Sequence, residues 1–168
     1  MMIESIQSEY KTYKSIAERA LAQVRDEDLH RPLGDDANSI SVTMNHISGN
    51  LKSRFTNFLT EDGEKSWRNR DGEFEEKLDD RTNLLKKWDE SWKILFDEIS
   101  SLQDSDFGKV VKIRGKELTV SHALQRSLAH LCYHVGQIVV IARAHVGKDW
   151  KSLSIARGKS KDFRPGPS

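Results

Sequence analysis

Ser121-His122-Ala123-Leu124-Gln125-Arg126-Ser127-Leu128-Ala129-His130-Leu131-Cys132-Tyr133-His134-Val135-Gly136-Gln137-Ile138-Val139-Val140-Ile141-Ala142-Arg143-Ala144 is the stretch that decides the fold. Leu124, Leu128, Leu131, Val135 and Ile138 recur at alternating steps of four and three, which draws a core stripe along one side of a helix. A second face holds Ala123, Ser127, His130, His134, Gln137 and Ile141, small and polar members that line a pocket more naturally than they pack. A helix apolar over so much of its circumference belongs between neighbours. Gly147 fits its C-terminal stop.

Working outward, Val110-Val111-Lys112-Ile113 and Glu117-Leu118-Thr119-Val120 flank Arg114-Gly115-Lys116, a short β-hairpin signal just before this helix. Upstream, Leu84, Trp88, Trp92, Leu95, Ile99 and Leu102 predict a helix over about Arg81 to Leu102, with the Trp pair in the core. Ile40, Met44, Ile47, Leu51, Phe55 and Phe58 predict another over about Ile40 to Leu59, with Ser39 as its N-cap. The segment between Thr60 and Asp80 is charged and carries Gly63 and Gly72, which reads as a long connection crossing between helices. Its run from Trp67 to Phe74 reads as an ordered connector with solvated charges, or as a lip over a substrate. Ile6, Tyr10, Tyr13, Ala17, Ala20 and Val24 mark a first helix, and Asp26 to Asn38, with Pro32 and Gly34, a loop after it. The expected fold is therefore all-α, an antiparallel four-helix bundle with a long connection between helices two and three and a short β-hairpin before helix four. One domain spans 1–168, with about 156–168 a flexible tail unless Leu153 and Ile155 dock.

Lys plus Arg number 27 against 26 Asp plus Glu. The near balance gives no single-sign field to grip a nucleic-acid backbone, and a nucleic-acid partner is disfavoured. The charged fraction of 32% exceeds the usual ~25%. Four Trp, six Phe and regularly spaced aliphatics still supply a core, so the chain reads as globular rather than disordered. No run approaches the ~18 apolar residues of a membrane span, and no basic-then-apolar leader opens the chain, so no membrane association is expected. One cysteine, Cys132, excludes an intramolecular disulfide and suits a reducing, cytoplasmic location.

His130 and His134 project about 40° apart on one side of their helix, one turn from each other, so both imidazoles can reach one ion. An arbitrary pair at this spacing is more often two satisfied core histidines. The small and polar face around this pair shifts the balance towards ligands. A third ligand must come from another helix, and His46, beside the apolar stripe of helix two, is best placed by pattern. Three imidazoles suit zinc or nickel first, manganese or iron next. They leave an open coordination position, as catalytic sites do. His122 is rotated ~80° and ~12 Å along the axis from His130, too far to share that ion. His30 and His145 read as solvated, and Cys132 as a core residue turned ~200° from each histidine. Leu131 stands where a His-Glu-x-x-His protease needs its carboxylate, which argues against that chemistry.

The segments His46-Ile47-Ser48-Gly49-Asn50, Thr60-Glu61-Asp62-Gly63-Glu64-Lys65-Ser66-Trp67-Arg68-Asn69-Arg70-Asp71 and His130-Leu131-Cys132-Tyr133-His134-Val135-Gly136-Gln137-Ile138 together resemble the DinB/YfiT-like superfamily of metal-binding bundles. The resemblance covers nearly the whole chain and points to a small bacterial subgroup without an assigned reaction. It places the superfamily's histidine triad on His46, His130 and His134, and it implies a homodimer. Characterised members include transferases and isomerases that combine a divalent metal with a low-molecular-weight thiol such as bacillithiol. The implied activity is a metal-dependent thiol S-transferase acting on an electrophile in detoxification or stress. Alternatives are a metal-hydroxide hydrolase and a non-enzymatic metal- or ligand-binding stress protein. Asn50 and Gln137 would then orient substrate or a ligand's second nitrogen. Arg126, with Arg54 and Arg68, is a candidate for substrate contact, although the sequence locates no anion-binding cluster.

Overall fold

The computed structural model describes residues 2–162 and 164. Four helices carry the chain: α1 (Met2–Leu21), α2 (Ile40–Phe55), α3 (Arg81–Ser101) and α4 (Val120–Val146). An antiparallel hairpin, β1 (Val110–Ile113) and β2 (Lys116–Thr119), precedes α4. α2 packs on α3 and α1 on α4, with further contacts of α2 to α4 and α1 to α3. No helix among the described residues is long and apolar enough to cross a membrane.

Each helix begins where a side chain can satisfy its orphan amides. Asp104 accepts from the Met2 and Ile3 amides, Ser39 Oγ from Val42 N at 3.1 Å, Asp80 Oδ1 from Asn83 N at 2.8 Å and Thr119 Oγ1 from His122 N at 3.2 Å. α4 ends at Gly147, whose φ of 64° suits a residue without a Cβ. Tyr10 ties the helices together. Its ring meets Phe55 and Trp92 edge-on at 6.3 and 6.5 Å, and its hydroxyl donates to Leu124 O at 3.0 Å. Trp88 and Trp92 are fully buried, as their spacing predicts.

Three boundaries differ from expectation, the first being α1, which stops at Leu21, short of Val24. α2 stops at Phe55 rather than near Leu59, because Thr56 turns extended and Asn57 takes a positive φ of 52°. Phe58 is nevertheless buried against Phe55 with centroids 5.3 Å apart, so the apolar period runs on past the helix. The second strand is Lys116–Thr119 rather than Glu117–Val120, since Val120 already starts α4. The turn consists of Arg114 and Gly115 alone, both at positive φ, the twist that two-residue hairpins favour. Asp62 holds that turn from the α2–α3 connection: its carboxylate accepts from Arg114 N at 2.8 Å and Gly115 N at 2.6 Å. Gly63 N also donates to Lys112 O at 2.8 Å, which docks the connection along β1. In the expected tail, Leu153 packs against the core while Ile155 and residues 156–162 are exposed; 163 and 165–168 lie outside the described residues.

Candidate metal centre

α4 carries His130 and His134 one turn apart, and α2 presents His46 to both. The Nε2 of His130 lies 3.2 Å from His46 Nε2 and 3.1 Å from His134 Nε2. The three donor atoms form a group that can hold a metal ion. Ligand nitrogens about 2.0–2.1 Å from a tetrahedral ion stand roughly 3.3 Å apart, close to these separations.

Proton positions argue the same way. His46 Nδ1 donates to Glu73 Oε2 at 2.9 Å, and His134 Nδ1 to Gln137 Oε1 at 2.8 Å. In the neutral rings both Nε2 atoms therefore carry lone pairs, and a single His130 N–H can satisfy only one of them. A cation between the three rings removes the conflict. Burial, then the neighbouring His134 and His46 and more distantly Arg68 and Arg54, pushes the His130 imidazole down to about 4. Burial also lowers His134, partly opposed by Gln137. Neutral imidazoles are the ligand form.

Behind His46 stands Glu73, which sequence reasoning missed. Arg68 grips it through two bonds, Nε to Oε1 at 2.7 Å and Nη2 to Oε2 at 2.8 Å. Burial alone would raise the Glu73 carboxyl, but Arg68 and then His46 outweigh it and hold the group below the usual carboxylate range. A carboxylate on the far nitrogen of a metal-binding imidazole fixes its tautomer and orientation. Phe74 covers the same ring at 4.5 Å between centroids. Only glycine at position 49 admits this arrangement, since a Cβ there would sit 2.1 Å from Glu73 Oε1. The connection from Trp67 to Phe74 is therefore neither solvated connector throughout nor lip alone. Trp67 is exposed under Lys52, Arg70 reaches the site's mouth, and Arg68, Glu73 and Phe74 support His46.

A cavity of about 210 Å³ opens beside His46 and His130. Asn50 and Arg126 line it, as do Ala123 and Ser127 of the small face of α4. The two other arginines named from sequence, Arg54 and Arg68, line it as well, joined by Arg70 and Arg114. Gln137 is not in this cavity; it sits behind His134 and borders a separate, more apolar hollow of about 520 Å³ with Leu33, Tyr133 and Val140.

The remaining candidates fall elsewhere. His122 is exposed. His30 and His145 are half-buried rather than solvated: His30 bridges Glu76 Oε1 at 2.6 Å and Asp79 O at 2.9 Å, and His145 meets Arg31 through both ring nitrogens. Cys132 faces away from the triad, half-buried and beside Tyr13 rather than in the core.

A family model described as "Protein of unknown function (DUF1572)" matches residues 1–159. No curated protein and no solved structure matches the chain.

Proposed function

Because the chain belongs to the DUF1572 family, whose description assigns no reaction, we propose its function from its own side chains. It is a DinB-like helical bundle that holds one divalent ion on His46, His130 and His134 and transfers a low-molecular-weight thiol, such as bacillithiol, onto an electrophile. The observation that carries the metal is the convergence of three Nε2 atoms, two of them stripped of protons by Glu73 and Gln137. Zinc or nickel suits three imidazoles best, and manganese or iron is compatible. When bound, such an ion acts as a Lewis acid at its open position and lowers the pKa of a coordinated thiol or water.

The chain's residues do the rest. Glu73 and Gln137 hold two imidazoles in the ligand tautomer, Asn50 offers its amide to whatever enters the cavity, and Phe55 and Phe58 give an apolar wall. Among the described residues no carboxylate lines the cavity, and Glu73 is already engaged by Arg68 and His46. Among the described residues the site thus offers no free carboxylate as general base, which supports a thiol, with an ordinary pKa of about 8.5, over the hydrolase reading. A cytoplasmic location belongs to the same reading, supported by the single cysteine. So does a homodimer, for which the exposed apolar surface of Leu33, Tyr133 and Val140 is the supporting observation.

Elemental analysis of tag-free protein, with the same preparation run by sedimentation velocity, tests this. About one ion per chain, absent from both His46→Ala and His134→Ala, with turnover only when thiol is added, is the expected result. No metal after reconstitution with zinc, nickel and manganese removes the reading. Turnover without thiol moves it to the hydrolase, and a single-chain sedimentation coefficient removes the homodimer.

A further inference from the structure

We propose that the cavity beside the three histidines binds the anionic group, a carboxylate or a phosphate, of a small acid. Resting on the metal reading above, we place the far end of the same molecule at the ion. Five guanidiniums line this cavity, delivered by four separate parts of the chain: Arg54 from α2, Arg68 and Arg70 from the connection, Arg114 from the hairpin turn and Arg126 from α4. Among the described residues their counter-charges are three carboxylates, Glu64, Glu73 and Asp62, the last acting on Arg54 without a direct bond. Glu64 serves Arg54 at 3.0 Å, Arg114 at 3.0 Å and, at 3.8 Å, Arg68; Glu73 serves Arg68. Positive charge is therefore left over around a cavity that Arg54 and Arg68 border from the buried side, where an anion is favoured.

An arginine cluster at a surface is usually a solvated face, and three observations set this one apart. The Arg68 side chain lines the cavity and is only 2% exposed, yet its Nη1 has no hydrogen-bond partner and only a 3.8 Å ion pair with Glu64. A buried cationic donor left unsatisfied is costly, and an acceptor in the cavity would meet it. Arg70 and Arg126, at the exposed rim, have no carboxylate partner among the described residues; Arg70 instead lies over the Phe74 ring at 5.2 Å. Burial, partly countered by Glu64, lowers the Arg54 guanidinium, and Arg68 and Arg114 lower it further, a sign of crowded positive charge.

The planar fork of arginine matches carboxylate and phosphate oxygens in pairs, which a set of lysines would not. Size limits the ligand. About 210 Å³ is below the ~300 Å³ at which pockets begin to take drug-sized molecules, so the acid has few carbons. Chloride can sit between guanidiniums but offers no pair of oxygens to match one fork.

The test uses the full chain, stripped of metal, titrated calorimetrically with inorganic phosphate and with succinate at low salt. Arg70→Gln, Arg126→Gln and the double variant change only exposed residues, and their melting curves report folding. Binding of either probe, weakened about tenfold for each guanidinium removed and suppressed by added NaCl, is the expected result. The probe that binds identifies phosphate or carboxylate as the group. No heat from either probe up to about 10 mM, or equal affinity in wild type and double variant, overturns the proposal. Zinc uptake, measured in parallel, separates the two readings. Zinc bound without either anion sinks only the acid, whereas anions bound without zinc sustain the pocket and sink the metal.

Discussion

At His46 the two ring nitrogens have different duties: Nδ1 is committed to Glu73 and Nε2 faces the other imidazoles. Replacing Glu73 by Gln keeps an acceptor for Nδ1 but removes the charge, and leaves the buried Arg68 guanidinium with Glu64 at 3.8 Å as its nearest carboxylate. Metal affinity in Glu73→Gln should fall by about 10–100-fold, read by competition with a chromophoric chelator. Unchanged affinity would reduce Glu73 to a partner of Arg68. The histidines were legible from sequence because an i, i+4 pair is a local property of one helix and His46 borders an apolar stripe. Glu73 was not, because it stands in an aperiodic connection among other acidic residues, where no period marks which side chain turns inward.

At the scale of elements, α2 and the connection are fitted to each other at Gly49. In an exposed helix interior Gly→Ala usually stabilises by about 1 kcal/mol. Here the added Cβ would stand 2.1 Å from Glu73 Oε1 and 2.6 Å from its Cδ, and that carboxylate is pinned by Arg68 and His46. Gly49→Ala should therefore lower the melting temperature, against the propensity trend, and weaken metal binding with it. A rise in melting temperature with unchanged metal affinity would show that the connection yields freely. Helix positions were readable from the spacing of apolar residues and from Ser39 as a cap. The end of α2 was misjudged because Phe58 keeps the apolar period after the backbone has left the helix.

For the whole molecule, acidity should act in two stages on the metal-free protein. The folded His130 imidazole sits at about 4, below its ordinary value near 6.5. Between those values the unfolded chain takes up the proton and the folded one does not, so stability falls as pH drops from about 6.5 to about 4. Glu73, Glu64 and Asp62 are each held below the carboxylate range despite burial: by Arg68 and His46, by Arg114 and Arg54, and by the amides of Glu64, Gly115 and Arg114. Their contribution is present above about 4.3 and is lost as pH falls through the depressed folded values. Melting temperatures taken from pH 8 to pH 3 should decline first gently, then steeply. A metal-loaded sample should resist the first stage, because bound imidazoles must release the ion before they can protonate. A decline that zinc leaves unaltered would show that the first stage does not come from the triad.

Four helices, a hairpin before the last of them, and the three histidines as a group are legible in the chain alone. The helices, the hairpin and the His130–His134 pair are set by spacing within single elements, which a chain carries whatever its neighbours do, while His46 joins the pair through its place beside the α2 stripe and the family resemblance. What surrounds that group follows from long-range packing. Glu73 and Arg68 reach His46 because the connection docks on the hairpin through Asp62 and Gly63, and Gln137 is turned away from the cavity that Asn50 and Arg126 share. The gathering of arginines from α2, the connection, the hairpin turn and α4 belongs to the same level. No period relates positions 54, 68, 70, 114 and 126, so their common wall exists only once distant parts of the chain have packed.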